Sequence, residues 1–268
     1  MSHELKENRF YKNKTTLTVY LVLRGLIIFI LVRAVLRREY QSVFLCALSL
    51  VLLILPSIIS RKLKIVLPDT LEIVILLFIF AAEILGELNS FYVRVPHWDT
   101  MLHTINGFLC AAIGFALVDM MNRNDRFTFQ LSPLYLAIVS FCFSMTVGVL
   151  WEFFEFSGDY FLGMDMQKDT IVHAIHSVNL DPTLPNTVVH IRDIADTILV
   201  HSDGTQEALG LGGYLDIGII DTMKDLFVNF IGAVVFSVIG YFYVKEKGKG
   251  KVAHRFIPQV ERSEKQDS

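Results

Sequence analysis

Cysteine is scarce in this sequence, and so is an excess of either charge. The 268 residues include three cysteines, Cys46, Cys110 and Cys142, each inside an apolar run and none in a Cys-x-x-Cys pair. This pattern argues against a disulfide framework or a cysteine-based zinc site. The net charge is only −3 at pH 7, so no overall field attracts nucleic acid or an acidic substrate. We therefore expect no nucleic acid partner.

Apolar residues are abundant instead. They make up 53% of the chain, and the mean hydropathy is +0.50. Soluble domains usually contain roughly 45–50% apolar residues even when glycine is counted. The excess predicts a protein whose surface is covered by lipid, with membrane lipid as its first partner.

Six segments are apolar enough to cross a bilayer, which needs on the order of 20 such residues. The sequence therefore predicts an all-α polytopic membrane protein with about six transmembrane helices in a membrane domain of residues 17–244. The first run lacks a small-residue cleavage site before Arg37, so it is interpreted as a span and not as a signal peptide. The predicted spans are Leu17–Leu36, Ser42–Ser60, Leu71–Gly86, Met101–Met121, Leu134–Phe156 and Phe227–Val244.

The distribution of Lys and Arg predicts the orientation of these spans. Most of the basic residues outside the spans fall before the first span, after the second and fourth spans, and in the C-terminal tail. Basic connections are retained in the cytoplasm. We therefore expect both ends inside, with residues 1–16 and 245–268 as cytoplasmic segments.

A long polar connection, residues 163–216, separates the fifth and sixth predicted spans. In this orientation it forms an extracytoplasmic loop or small cap. Val188–Ile191 and Thr197–His201 resemble strands, whereas Asp169–Val178 suggests a surface helix. His173 and His176 are interpreted as ordinary surface residues, although they could join a site from this loop.

Ionisable residues recur at helical spacing where four of the predicted spans reach the outer interface. Such residues are expensive near a membrane and are therefore candidates for function. Asp99 and His103 lie on one helical face, and so do Glu152 and Glu155. The whole set is Glu83, Glu87, Asp99, His103, Glu152, Glu155, Asp159, Asp221, Asp225 and Asn229.

Carboxylates gathered at low dielectric repel one another, which favours a cation, shared protons or basic partners. Carboxylates with an imidazole suit Mg²⁺, Mn²⁺ or Zn²⁺. Helix capping or hydrogen bonding to the loop would account for some of these side chains instead. The predicted metal ligands are His103, Glu152, Glu155, Asp221 and Asp225, and the predicted catalytic residues are Asp99, His103, Glu152 and Glu155.

These residues carry a resemblance to the YjdF-like family of uncharacterised bacterial inner-membrane proteins. The shared features are Trp-Asp-x-x-x-His at Trp98, Leu-Trp-Glu-x-x-Glu at Leu150, and Asp-Thr-x-x-Asp-x-x-x-Asn-x-x-Gly at Asp221. The resemblance covers approximately residues 71–243 and implies a bacterial plasma-membrane location. A looser similarity to VanZ-like proteins lies in the order of the acidic, His and Asn residues, and the insertion at 163–216 departs from that pattern.

Two classes of function follow from the same cluster, and a structural membrane partner is a third class that the sequence leaves open. The first is a metal-assisted enzyme that acts on a lipid-linked or envelope phospho-compound at the outer face. The second is a non-enzymatic binding, resistance or transport protein that holds a cation, proton or headgroup. The sequence does not choose the substrate, the metal or the oligomeric state.

Overall fold

A computed structural model describes residues 14–63, 65–122, 131–183, 186–246, 255–257 and 259–260. Its chain divides into two compact units, Met1–Gly148 with Leu226–Ser268, and Val149–Asp225. The predicted cytoplasmic segment 1–16 lies outside the described residues except for its last three. Of the predicted tail 245–268, the structure describes only residues 245–246, 255–257 and 259–260.

Helices form most of the described chain. Five helical segments of the described residues are long and apolar enough to cross a membrane, and the second of them includes two of the helices named below. These segments are Lys14–Arg37, Tyr40–Lys62, Trp98–Asp119, Pro133–Leu162 and Ile219–Lys245. This confirms an all-α, multi-pass membrane protein. The helices are α1 (Lys14–Arg37), α2 (Tyr40–Leu52), α3 (Leu55–Leu63), α4 (Asp69–Ile79), α5 (Phe91–Arg94), α6 (Trp98–Asn122), α7 (Pro133–Leu162) and α8 (Ile219–Lys245).

The third predicted span, Leu71–Gly86, has a helical structure of an unusual kind. Helix α4 continues into a π-helix, Phe80–Leu88. The combined segment carries Glu72, Glu83 and Glu87 and is not among the five helices that meet the length and composition of a span. The count of six spans and the orientation with both ends inside stay predictions.

Two hydrophobic clusters hold the first unit together. In one, Leu23 and Ile27 of α1 pack with Cys46 of α2 and Leu76 of α4. In the other, the buried side chains of α6, α7 and α8 meet. That second cluster includes Ala111, Ala112, Phe115, Leu136, Ala233 and Phe236.

Small residues let α6 and α8 approach closely. A Cβ added to Gly107 would lie 2.1 Å from the carbonyl oxygen of Asn229, and one added to Gly232 would lie 2.1 Å from that of Thr104. Membrane helices pack through such small residues because lipid supplies no hydrophobic force between them. Gly107 and Gly232 therefore mark the points where the two helices come closest to each other's backbone.

Short antiparallel strand pairs complete both units. In the first unit, β1 (Ile65–Val66) pairs with β8 (Gln259–Val260). In the second unit, the pairs are β2 (Ile171–Val172) with β7 (Tyr214–Leu215), β3 (Ile175–Ser177) with β4 (Val189–Ile191), and β5 (Ile198–Val200) with β6 (Gln206–Ala208).

The two predicted strands of the long connection are confirmed as β4 and β5, but the surface helix at Asp169–Val178 is wrong. That segment forms β2 and β3 instead. Ile171, Val172 and Ile175 are β-branched and favour a half-buried strand over a helix. Their partners, β7 and β4, lie outside this segment, so its local pattern alone gave no sign of the pairing.

Candidate functional site

Asp99 and His103 form the centre of the candidate site, on the first two turns of α6. Their spacing of four residues places both side chains on one face of the helix. His103 Nε2 lies 3.4 Å from Asp99 Oδ1, and the two side chains are 11% and 22% exposed, respectively. Asp99 also lies in the first turn of α6, where the helix dipole favours negative charge.

Asp225 of α8 completes a three-residue group. It is only 1% exposed and immediately precedes Leu226 on the continuous helix. One ligand atom each from Asp99, His103 and Asp225 lies within 4.8 Å of the other two. Among the described residues this is the one group of three or more His, Cys, Asp or Glu residues with that geometry.

A pair of asparagines lies one helical turn further along both helices. Asn106 follows His103 by three residues, and Asn229 follows Asp225 by four. Asn106 Nδ2 donates a hydrogen bond of 3.2 Å to Asn229 Oδ1. The sequence pointed to Asn229 through its spacing from Asp225, but it gave no reason to single out Asn106.

Asn229 is enclosed by glycine and methionine as well as by Asn106. Its Nδ2 lies 3.7 Å from Met145 Sδ, and a Cβ on Gly148 would lie 2.7 Å from the same nitrogen. Ser144 Oγ donates to the carbonyl oxygen of Gly107 at 2.7 Å. These contacts fix the parts of α6, α7 and α8 that adjoin the candidate site.

Glu152 and Glu155, on the second half of α7, are buried in the structure. Their exposed fractions are 4% and 9%. Glu155 Oε1 accepts a hydrogen bond of 2.8 Å from Trp151 Nε1. Neither glutamate belongs to the group of three, so their predicted part in a metal site stays a prediction.

Asp221 and Asp159 bind the backbone of the long connection. Asp221 Oδ2 accepts from the amide of Lys168 at 2.8 Å. Asp159 accepts from the amides of Met166 and Gln167 at 2.6 and 2.8 Å. Hydrogen bonding to the loop, one of the alternatives that the sequence left open, is what the structure shows for both carboxylates. Asp221 is also absent from the group of three.

Further carboxylates surround the same stretch of backbone. Asp216 accepts from the amides of Thr170 and Ile220 at 2.6 and 2.9 Å. Desolvation raises the pKa of Asp169, and repulsion from Asp165, Asp216 and Asp159 raises it further, while Lys168 lowers it. The remaining predicted carboxylates, Glu83 and Glu87, lie in the π-helix.

The chain belongs to a family of predicted membrane proteins. A family model described as "Predicted membrane protein (DUF2238)" matches residues 19–246, and the YjdF-like resemblance is to this same family. An "Uncharacterized protein" of Thermotoga maritima is 25% identical over 96 residues, which cover 36% of this chain and 47% of that protein. This chain therefore matches about half the length of that relative. No solved structure matches, and the looser similarity to VanZ-like proteins is not shown.

Proposed function

We propose that this multi-pass membrane protein binds a divalent cation through Asp99, His103 and Asp225. The observation that carries the proposal is the mutual distance of at most 4.8 Å among their three ligand atoms. Bonds of about 2.0–2.6 Å to a shared ion require donors no more than about 4–5 Å apart. The three side chains fit that requirement.

The donor set also suits the ion. Two carboxylates and one imidazole favour Mg²⁺, Mn²⁺ or Zn²⁺. Three protein ligands are typical of sites that keep a position open for water or substrate. Because Asp99 and His103 share one helix face, the rigid backbone of α6 presents two of the ligands in a fixed relation.

The proposed activity is the hydrolysis or transfer of a phosphoryl group on a lipid-linked or envelope compound of the bacterial plasma membrane. A bound cation would polarise the phosphoryl oxygen and lower the pKa of a bound water molecule. Asp99 and His103, whose side chains are 3.4 Å apart, would hold that cation together with Asp225. Glu152, a buried carboxylate on α7, would accept the proton of the attacking water.

Binding without catalysis is the second candidate. The contact between His103 and Asp99 favours it, because a protonated imidazole can neutralise the carboxylate without any metal. The same residues would then hold a proton, a cation or a polar headgroup for resistance or transport.

Metal analysis of the full-length protein tests the proposal. The purified protein is equilibrated with Mg²⁺, Mn²⁺ or Zn²⁺ in detergent, and bound metal is measured by mass spectrometry. Stoichiometric metal is expected in the wild type and should be lost in Asp225→Asn and His103→Ala. The matched control is Asp165→Asn, because Asp165 is an exposed carboxylate. Equal metal in all four proteins would exclude the site.

Turnover separates the two candidates. Phosphate release is measured from vesicles that contain phosphatidic acid or a polyprenyl phosphate, with and without the bound metal. Release that requires Asp225 and Glu152 supports the enzyme. Stoichiometric metal without release from either lipid supports the binding protein.

A further inference from the structure

Two exposed histidines face each other on the hairpin of β3 and β4. His176 and His190 are directly opposed in the antiparallel register, so their side chains leave the same face of the pair. Their Nδ1 atoms are 2.8 Å apart, and their ring centroids are 4.6 Å apart. Both side chains are open to solvent.

The distance between the two Nδ1 atoms bears on which metal ion the histidines could share. Two nitrogens that each lie about 2.0 Å from a shared ion and 2.8 Å from each other enclose an angle of about 90° at the ion. A tetrahedral ion such as Zn²⁺ would need the nitrogens about 3.3 Å apart. Neighbouring positions at about 90° belong to square-planar and tetragonal ions, of which Cu²⁺ and Ni²⁺ are the usual examples with nitrogen ligands.

We propose that His176 and His190 form a chelating site for Cu²⁺ on the long connection. Cu²⁺ is favoured over Ni²⁺ because it binds most tightly in the divalent series. Water would occupy the remaining positions, since both imidazoles are exposed. The site is therefore suited to exchangeable copper that enters from solution.

This site is separate in composition from the group formed by Asp99, His103 and Asp225. It uses two imidazoles and no carboxylate, so it selects a softer ion than two carboxylates and one imidazole do. The nearby His173 does not extend it, because His173 Nδ1 lies 3.1 Å from the carbonyl oxygen of Ile194. Within the described residues, neither histidine belongs to a larger group of metal-binding side chains.

Binding requires a change of tautomer but no oxidant or reductant. Without metal, the Nδ1–H of one imidazole donates to the Nδ1 of the other across 2.8 Å. On binding, that ring carries its proton on Nε2 instead, and both rings turn so that the two Nδ1 lone pairs point at the ion. Acid should release copper, because a protonated nitrogen cannot act as a ligand.

Copper titration of the full-length protein in detergent tests the proposal. The affinity tag contains no histidine that could bind copper. It is fused before Met1, which moves the free N-terminal amine away from His3 so that the two cannot bind copper together. The Asp225→Asn background removes the contribution of the other proposed site. Cu²⁺ binding is followed by electron paramagnetic resonance, which reports the number of coordinated nitrogens.

The expected signal shows two equivalent nitrogens. His176→Ala and His190→Ala should each weaken copper binding by at least about tenfold, since even the loss of an outer contact to a metal ligand costs about 10–100-fold. The control is His201→Ala, another exposed histidine of the same unit, which lies 3.5 Å from Glu207. Its copper binding should match that of the parent.

Two outcomes would overturn the proposal. One is unchanged copper affinity in both single variants, and the other is tighter binding of Zn²⁺ than of Cu²⁺. Thermal unfolding of each variant is measured beforehand without copper. This measurement separates a loss of copper ligands from a loss of folded protein. The copper titration uses Asp225→Asn throughout, so its result does not depend on whether Asp99, His103 and Asp225 bind a cation. Either proposal can therefore be wrong while the other holds.

Discussion

The side chains of Asn106 and Asn229 join α6 to α8 by a hydrogen bond of 3.2 Å, one turn away from His103 and Asp225. Asn229 is only 1% exposed. A buried side-chain amide that loses its hydrogen-bond partner is still removed from water, so its desolvation penalty is no longer offset. The pair therefore holds together the two helices that present the candidate ligands.

A double-mutant cycle on this pair should show coupling. Asn106→Ala and Asn229→Ala should each destabilise the protein, and the double variant should lose less than the sum, by about 0.6–2 kcal/mol. Unfolding in detergent, followed by circular dichroism, measures the effect. Strictly additive losses would show that the hydrogen bond contributes nothing to stability.

Close helix packing predicts a strong effect of a single methyl group. Gly107→Ala and Gly232→Ala each place a Cβ 2.1 Å from a backbone oxygen of the facing helix, which cannot move aside as a flexible side chain would. We expect a loss of about 1–3 kcal/mol or more, together with weaker metal binding.

Gly25→Ala is the matched control for these two variants. Gly25 lies in α1, and a Cβ there meets nothing within 4 Å. Alanine is also favoured over glycine within a helix by about 1 kcal/mol. This variant should unfold at the same or a higher temperature, and equal destabilisation by all three substitutions would contradict the packing argument.

The loop contacts of Asp159 predict local and not global destabilisation. Asp159→Ala leaves the amides of Met166 and Gln167 without their side-chain acceptor. Their hydrogen exchange should accelerate while α6 stays protected. Asp165→Asn is the control, since its exposed ion pair with Lys168, at 3.7 Å, should contribute little.

The raised pKa of Asp169 predicts a pH-dependent effect in the same segment. The folded state holds the proton of this carboxyl at a higher pH than the unfolded chain, so its contribution to stability falls as the pH rises through the folded pKa. Asp169→Asn should therefore protect the backbone near Thr170 at neutral pH.

The difference between wild type and Asp169→Asn should vanish below about pH 4, where the carboxyl is protonated in both states. It should also shrink in high salt, because Asp169 is exposed and its repulsion is screened. Hydrogen-exchange protection at several pH values measures it. Faster exchange in the variant at neutral pH would reverse the predicted sign.

The orientation of the spans can be tested by labelling. With the native cysteines replaced, a cysteine at Thr205 should react with an impermeant thiol reagent in intact cells, and one at Asn122 should not. A cysteine at Lys249, which lies outside the described residues, should also stay unlabelled. Reaction at Asn122 alone would place the candidate site on the cytoplasmic side.

The sequence by itself determined that this is a helical membrane protein and that α6 carries Asp99 and His103 on one face. Long apolar runs can satisfy their backbone groups in lipid only as helices or closed barrels, and helical spacing is a local property. The Trp-Asp-x-x-x-His motif was therefore sufficient to pair those two side chains before any fold was known.

Only the tertiary structure decided which carboxylates come together. It grouped Asp225 with Asp99 and His103, whereas Asp221 and Asp159 bind loop amides. It also replaced a predicted surface helix by β3, which brought His176 against His190. These outcomes depend on helix packing, on the path of the connection and on strand register, which the spacing of residues along one segment does not specify.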